Sequence, residues 1–209
     1  MPRLIDHDER NRVIAAASMR VLVQKGLGAL SVRNVAAEAG IAAASLRRAF
    51  PTQDHLRKFC FDAIGDAVAQ RIAALDGEGL PLVLALLREL LPLDDVRRDE
   101  LVAQLQLGGR ALVDASLGAS VIELNREVRG VCAAAIAELD RVGARGATID
   151  VEYEVDRLHA LLDGLAIHLL WAPGPDPEGF AMDVLSKHLR PLCATDAGGR
   201  VSSAGVDEN

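Results

Sequence analysis

Aromatic side chains are scarce in this chain: one Trp, one Tyr and four Phe make up 3% of its 209 residues. Sheets draw heavily on aromatic and β-branched residues, whereas here half the chain is hydrophobic and alanine and leucine dominate, which favours packed helices. Cysteine is equally sparse. Cys60, Cys132 and Cys193 are far apart and odd in number, so neither a disulfide framework nor a metal spacing emerges, and a reducing compartment is expected. No uncharged run approaches the roughly 20 residues that a membrane helix needs. The apolar stretch VIAAASMRVLV is broken by Arg20 and preceded by Asp6, Asp8 and Glu9, so no secretory leader is expected and the cytoplasm is the expected location. Catalytic signatures are missing as well: no nucleophile elbow, no phosphate-cradling loop after a strand, no metal-binding histidine pair on a helix. Neither an enzyme nor a cofactor is expected.

Negative charge prevails overall, at −7, but unevenly. Residues 1–58 hold ten Lys/Arg against five Asp/Glu, while the remainder holds 13 against 25. A basic head on an acidic body suits a protein of which only the head meets phosphates.

What that head contains is the stretch SVRNVAAEAGIAAASLRRAF, Ser31 to Phe50. Ser31 is a good N-cap, followed by Val32, Val35, Ala36 and Ala39 at helical spacing. Gly40 supplies the left-handed residue that ends the helix, and Ile41 plugs the turn. A second helix, Ala43 to Ala49, turns Leu46 and Phe50 inward. It leaves Ala43, Ala44, Ser45, Arg47 and Arg48 outside. Small residues let a helix enter a major groove closely, and arginine reaches phosphates or the guanine edge. The pattern is a helix-turn-helix; the plainer alternative is a helical hairpin carrying a solvated arginine pair.

Around it, apolar spacing predicts a first helix from Asp6 to about Lys25, capped by Gly26, with Arg3 and Arg12 solvated or near a DNA backbone. A long helix follows from Gln53 to about Leu75, roughly 33 Å. Leu80 to Leu91 is apolar nearly all round and belongs in a bundle. Helices are then expected over Asp94–Val113, with a kink or a close approach at Gly108-Gly109, and over Leu117–Val142. Glu152 to Trp171 carries a leucine stripe, and Asp176-Pro177 starts a last helix that runs to Arg190. Residues 195–209 are small and polar and are expected to be disordered.

GLGALSVRNVAAEAGIAAASLRRAFPTQDHL resembles the DNA-binding domain of the TetR family of transcriptional regulators, from Arg10 to about Leu56. The chain departs from the usual pattern at Ala42 (Ser or Thr), Arg47 (Tyr), Ala49 (His) and Gln53 (Lys). LPLDDVRRDEL and LLDGLAIHLLW look, more loosely, like the regulatory domain of BetI-like members. The resemblance implies an all-α fold of about nine helices. Its units are a helix-turn-helix domain over 1–52, an effector-binding and dimerisation bundle over 53–194, and the tail. It also implies a homodimeric repressor released from a palindromic DNA operator by a small molecule.

The DNA-binding residues would be Ser31, Arg33, Ala43, Ala44, Ser45, Arg47, Arg48, Thr52 and Gln53. The last two helices would pair with their symmetry mates through Leu158, Leu161, Leu165, Leu169, Val184, Leu185 and His188. Gln104 and His168 each read either as a packed polar side chain with its hydrogen bond satisfied or as a polar anchor in an apolar effector pocket. Trp171 stands either in that pocket or at the dimer seal. His159 and Asp163 read as an outward surface pair. The acidic body favours a neutral or cationic effector, and the shortage of aromatics argues against a cage for a quaternary ammonium. A helical ligand-binding or interaction protein that no longer reads DNA is the alternative.

Overall fold

The structure, a computed structural model, describes residues 7–143 and 150–193, the side chain of Ser116 aside. Among these it is all-helical: α1 (His7–Lys25), α2 (Val32–Ala39), α3 (Ala43–Ala49), α4 (Gln53–Ala73), α5 (Gly79–Arg88), α6 (Asp95–Ala111), α7 (Gly118–Arg141), α8 (Val151–Trp171) and α9 (Pro177–Leu189). Residues 195–209 and Arg3 lie outside the described residues.

Local chemistry sets the ends. Ser31, Thr52, Asp94, Asp150 and Asp176 each cap a helix, their side-chain oxygens accepting a first-turn backbone N–H. Each such cap contributes about 1 kcal/mol. Gly40 ends α2 at φ 67°, a left-handed conformation that penalises any Cβ. At Gly108-Gly109 no neighbouring element approaches closely, since a Cβ at either would meet nothing within 4 Å, and α6 runs on through both to Ala111.

Two apolar clusters form the interior. One joins Ile14, Val21 and Leu22 of α1 to Val35, Leu46, Phe50 and the first half of α4 (Leu56, Cys60, Phe61, Ile64), and it also takes Ala103 and Leu107 from α6. The head's core therefore runs past residue 52. The other cluster packs α5, α7, α8 and α9. Between them Arg71 of α4 reaches Glu89 at 2.9 Å and Glu100 at 2.8 Å, while Arg97 joins Glu89 and Asp94. These partly sheltered pairs tie α4, α5 and α6 together.

The leucine stripe of α8 faces this second core. Leu158, Leu165, Leu169 and Leu185 are buried within the chain, and Leu161 and Val184 are half-buried against it. That corrects their expected place at a dimer joint: in an α8 flanked by α7 and α9, the widest apolar stripe is consumed inside one protomer.

Candidate nucleic-acid interface and ligand cavity

The recognition element is α3. Leu46 is fully buried and Phe50 lies with its ring 5.0 Å from that of Phe59, which fixes the helix to α4. Outward go Ala42, Ala43, Ala44, Arg47, Arg48 and Ala49, all exposed. Among the described residues neither arginine engages a carboxylate, so both guanidinium groups are available to an external anion. Ala42 caps α3 without a side-chain bond, leaving first-turn N–H groups open. Ser45 is only half-exposed, and its hydroxyl accepts a hydrogen bond from Arg10 Nη2 at 3.0 Å. Sequence reasoning missed Arg10, because nothing in local spacing reports a contact 35 residues away.

Flanking donors are nearby. Arg33 is exposed on α2, and Ser31 accepts the Asn34 N–H at 3.2 Å. At the start of α4, Thr52 accepts the His55 N–H and Gln53 lies against Arg57. Arg20 donates to Glu38 at 2.8 Å, tying α1 to α2 and holding that carboxyl below its ordinary range.

A cavity of about 290 Å³ opens between α4, α6, α7 and α8. Its wall is mainly aliphatic, including Val68, Ile72, Leu101, Val128 and Leu162. A second lobe of about 170 Å³ shares Gln104, Leu124, Val128 and Asp163 with the first and adds Phe61 and His159. Gln104 thus lines the cavity, whereas His168 and Trp171 do not. Both lie on the outer side of α8; His168 stacks on Phe180 with 5.3 Å between rings, and Trp171 is 78% exposed. His159, expected on the surface, is only 9% exposed. Two residues past Gln104, Gln106 donates from Nε2 to the Leu22 carbonyl at 3.1 Å. One turn of α6 therefore touches both the cavity and the head.

The outer face of α8 carries a second stripe. Tyr153, Ala160, Gly164, Ile167 and Trp171 recur at helical spacing and are exposed, with Phe180 of α9 beside them. His188 lies half-buried on α9, and its Nε2 has no partner. Burial, with help from Arg157 and against the pull of Glu154, holds its pKa below the ordinary 6.5. The folded chain therefore disfavours the imidazolium, so this contribution to stability is whole above pH 6.5 and is lost as pH falls below that and through the lowered value of the folded state. Unfolding midpoints taken about one unit either side of it should differ less in His188→Gln than in the parent. An equal drop in both would remove His188 from the acid response.

A family model described as bacterial regulatory proteins, tetR family, matches residues 14–58, and one described as the BetI-type transcriptional repressor C-terminal domain matches residues 81–194. The chain is 31% identical over 201 residues to the HTH-type transcriptional regulator PksA of Bacillus subtilis, covering 94% of this chain and 96% of the other. A transcriptional regulator from Rhodococcus sp. Rha1 superposes with a TM-score of 0.72 at 25% identity, over 87% of this chain and 95% of that one. The multidrug binding protein EbrR complexed with ethidium does so at 0.61 and 28%, over 86% and 98%.

Proposed function

Since the chain belongs to the TetR family of DNA-binding transcriptional regulators, with a BetI-type C-terminal domain, we propose that it works as a homodimeric repressor released from a palindromic operator by a small molecule in the α4–α6–α7–α8 cavity. Residues 1–52 present α3 to the major groove, and residues 53–194 hold the ligand and the dimer joint. Arg47 and Arg48 contact phosphate or guanine, Arg33, Thr52 and Gln53 with the capped starts of α2 and α4 meet flanking phosphates, and Ser31 and Ser45 shape those elements.

The observation that carries the switch is the double contact of α6. Gln104 lines the cavity, Ala103 and Leu107 sit in the head's core, and Gln106 holds the last turn of α1. A ligand that displaces α6 moves α1, and α3 with it through the Arg10–Ser45 bond. It weakens DNA binding only if it prefers the non-DNA arrangement, a coupling typically worth about 1–3 kcal/mol. The acidic body, EbrR's complex with ethidium and an apolar wall all support a lipophilic effector without negative charge.

The dimer joint, on this reading, is the outer stripe of α8 with Phe180. Ala160 and Gly164 let two α8 helices approach closely, and an exposed Trp171 gains shelter there. The two α3 helices then address half-sites about 34–36 Å apart, or further by whole turns.

Selection from random duplexes tests the reading. One inverted-repeat class should emerge, with affinity falling by roughly 10³–10⁵ between 50 and 200 mM salt if 6–10 phosphates are contacted. Selection without enrichment, or salt-indifferent binding, would favour an interaction protein that has lost its operator. Gln106→Ala should shrink the ratio of operator affinities without and with ligand by roughly 2- to 10-fold, the worth of one net hydrogen bond. An unchanged ratio in fluorescence anisotropy would move the coupling out of α6.

A further inference from the structure

The charged groups around the cavity are unevenly committed. Among the described residues Arg97 is the one Lys or Arg lining it, and it is already engaged: Nε donates to Asp94, and Nη1 donates to the Arg88 carbonyl and to Glu89. Glu89 and Glu100 are likewise held by Arg71. Three carboxylates remain, and among the described residues Asp66 and Glu127 have no ion-pair partner, while Asp163 has only His159, at 3.8 Å. Glu127 leans over Gly65, with Oε2 3.0 Å from where a Cβ would sit, so the missing side chain makes its room.

A separate observation points inward. His159 is nine-tenths buried, its Nε2 lacks a hydrogen-bond partner, and it lines the second lobe beside Gln104. The Asp163 carboxylate is too distant for a direct bond, yet both atoms can reach one nitrogen placed between them. An unsatisfied buried polar atom in an apolar wall costs free energy until a ligand supplies its partner.

Resting on the effector reading above, we propose that the cavity selects a lipophilic amine in its protonated form, an ammonium whose N–H groups bond His159 Nε2 and Asp163 while Gln104 takes a further polar atom and the aliphatic wall takes the tail. Glu127 and Asp66 add attraction at the mouth. A quaternary ammonium fits poorly: it has no N–H to give, and among the described residues the only rings lining either lobe are Phe61 and the His159 imidazole, so no cage surrounds it. Anions meet uncompensated carboxylates, and a neutral alcohol forgoes the charge-assisted bonds.

Calorimetry on the full chain without DNA tests this with four probes sharing one tail: octylamine, trimethyloctylammonium, 1-octanol and octanoate. Octylamine should bind tightest, by roughly 10- to 100-fold over the alcohol and the quaternary ion, with octanoate weakest. In the exposed double variant Asp163→Asn/Glu127→Gln that advantage should collapse, octylamine losing far more affinity than 1-octanol. His159→Leu should lower the preference for octylamine over trimethyloctylammonium in particular. Equal binding of amine and alcohol, a preference untouched by the variants, or no binding by any probe overturns the inference. A parallel operator titration separates the two readings. Amine-selective binding without DNA release removes the effector role alone, and release by 1-octanol or octanoate as effective as by octylamine removes the amine preference alone.

Discussion

Gly164→Arg is expected to give a folded monomer that no longer holds an operator. Gly164 lies mid-helix on the outer stripe of α8, and a Cβ there meets nothing within 4 Å. Removing a helical glycine gains up to about 1 kcal/mol of helix stability, so the single protomer should melt no lower than the parent. At a two-fold joint the consequence reverses. Each guanidinium is desolvated, and symmetry brings it towards its own copy, a like-charge encounter without a partner. A penalty of roughly 3–5 kcal/mol weakens the dimer by hundreds- to thousands-fold. With the joint goes the tethering of two heads, worth a further ~10²–10⁴ in operator affinity. Sedimentation velocity and anisotropy read both effects; a stable dimer with full affinity would move the joint elsewhere. Leu165→Glu makes the useful contrast. At 6% exposure within the α5–α7–α8–α9 core, that carboxylate should unfold the protomer rather than separate a pair of intact ones.

Replacing Arg47 and Arg48 together with alanine is expected to abolish selective DNA binding while leaving the fold untouched. Both side chains are exposed on α3, which stays anchored by Leu46 and by Phe50 against Phe59. A base-edge contact by arginine is worth about 1–3 kcal/mol, and the dimer loses each one twice. The salt slope should also flatten by ~0.9 for every phosphate contact that disappears. Circular dichroism confirms the fold, and anisotropy over a salt series gives slope and affinity. Operator affinity within about twofold of the parent would shift recognition to the α2 and α4 starts.

The helix-turn-helix was legible because its signals are local. Ser31 and Gly40 mark the ends of α2 by capping chemistry alone, and Asp176-Pro177 marks the start of α9 in the same way. What stayed hidden depends on which neighbour a face meets. The leucines of α8 advertise a strong apolar stripe, but spacing cannot say whether it meets its own chain or a copy; the fold turns it inward and leaves the smaller, mixed stripe of Ala160, Gly164 and Trp171 outside. His168 and His159 exchanged their expected surroundings for the same reason. Gln104 was legible as a polar residue amid apolar ones on α6, whereas Asp66 and Glu127 join it only once α4 and α7 lie side by side.

The sharing of Ala103 and Leu107 between α6 and the head has a consequence for recombination. A gene cut after residue 52 would sever the reading unit from Leu56, Cys60, Phe61 and Ile64, and from the α6 turn that closes its underside. A chimera built at that seam would inherit an open hydrophobic floor. Grafting this head onto a foreign sensor calls for a transplant that carries the first half of α4 and a matching pair of small and large residues on the recipient's sixth helix. Specificity for DNA and response to a ligand are, in this chain, exchangeable only as a matched set.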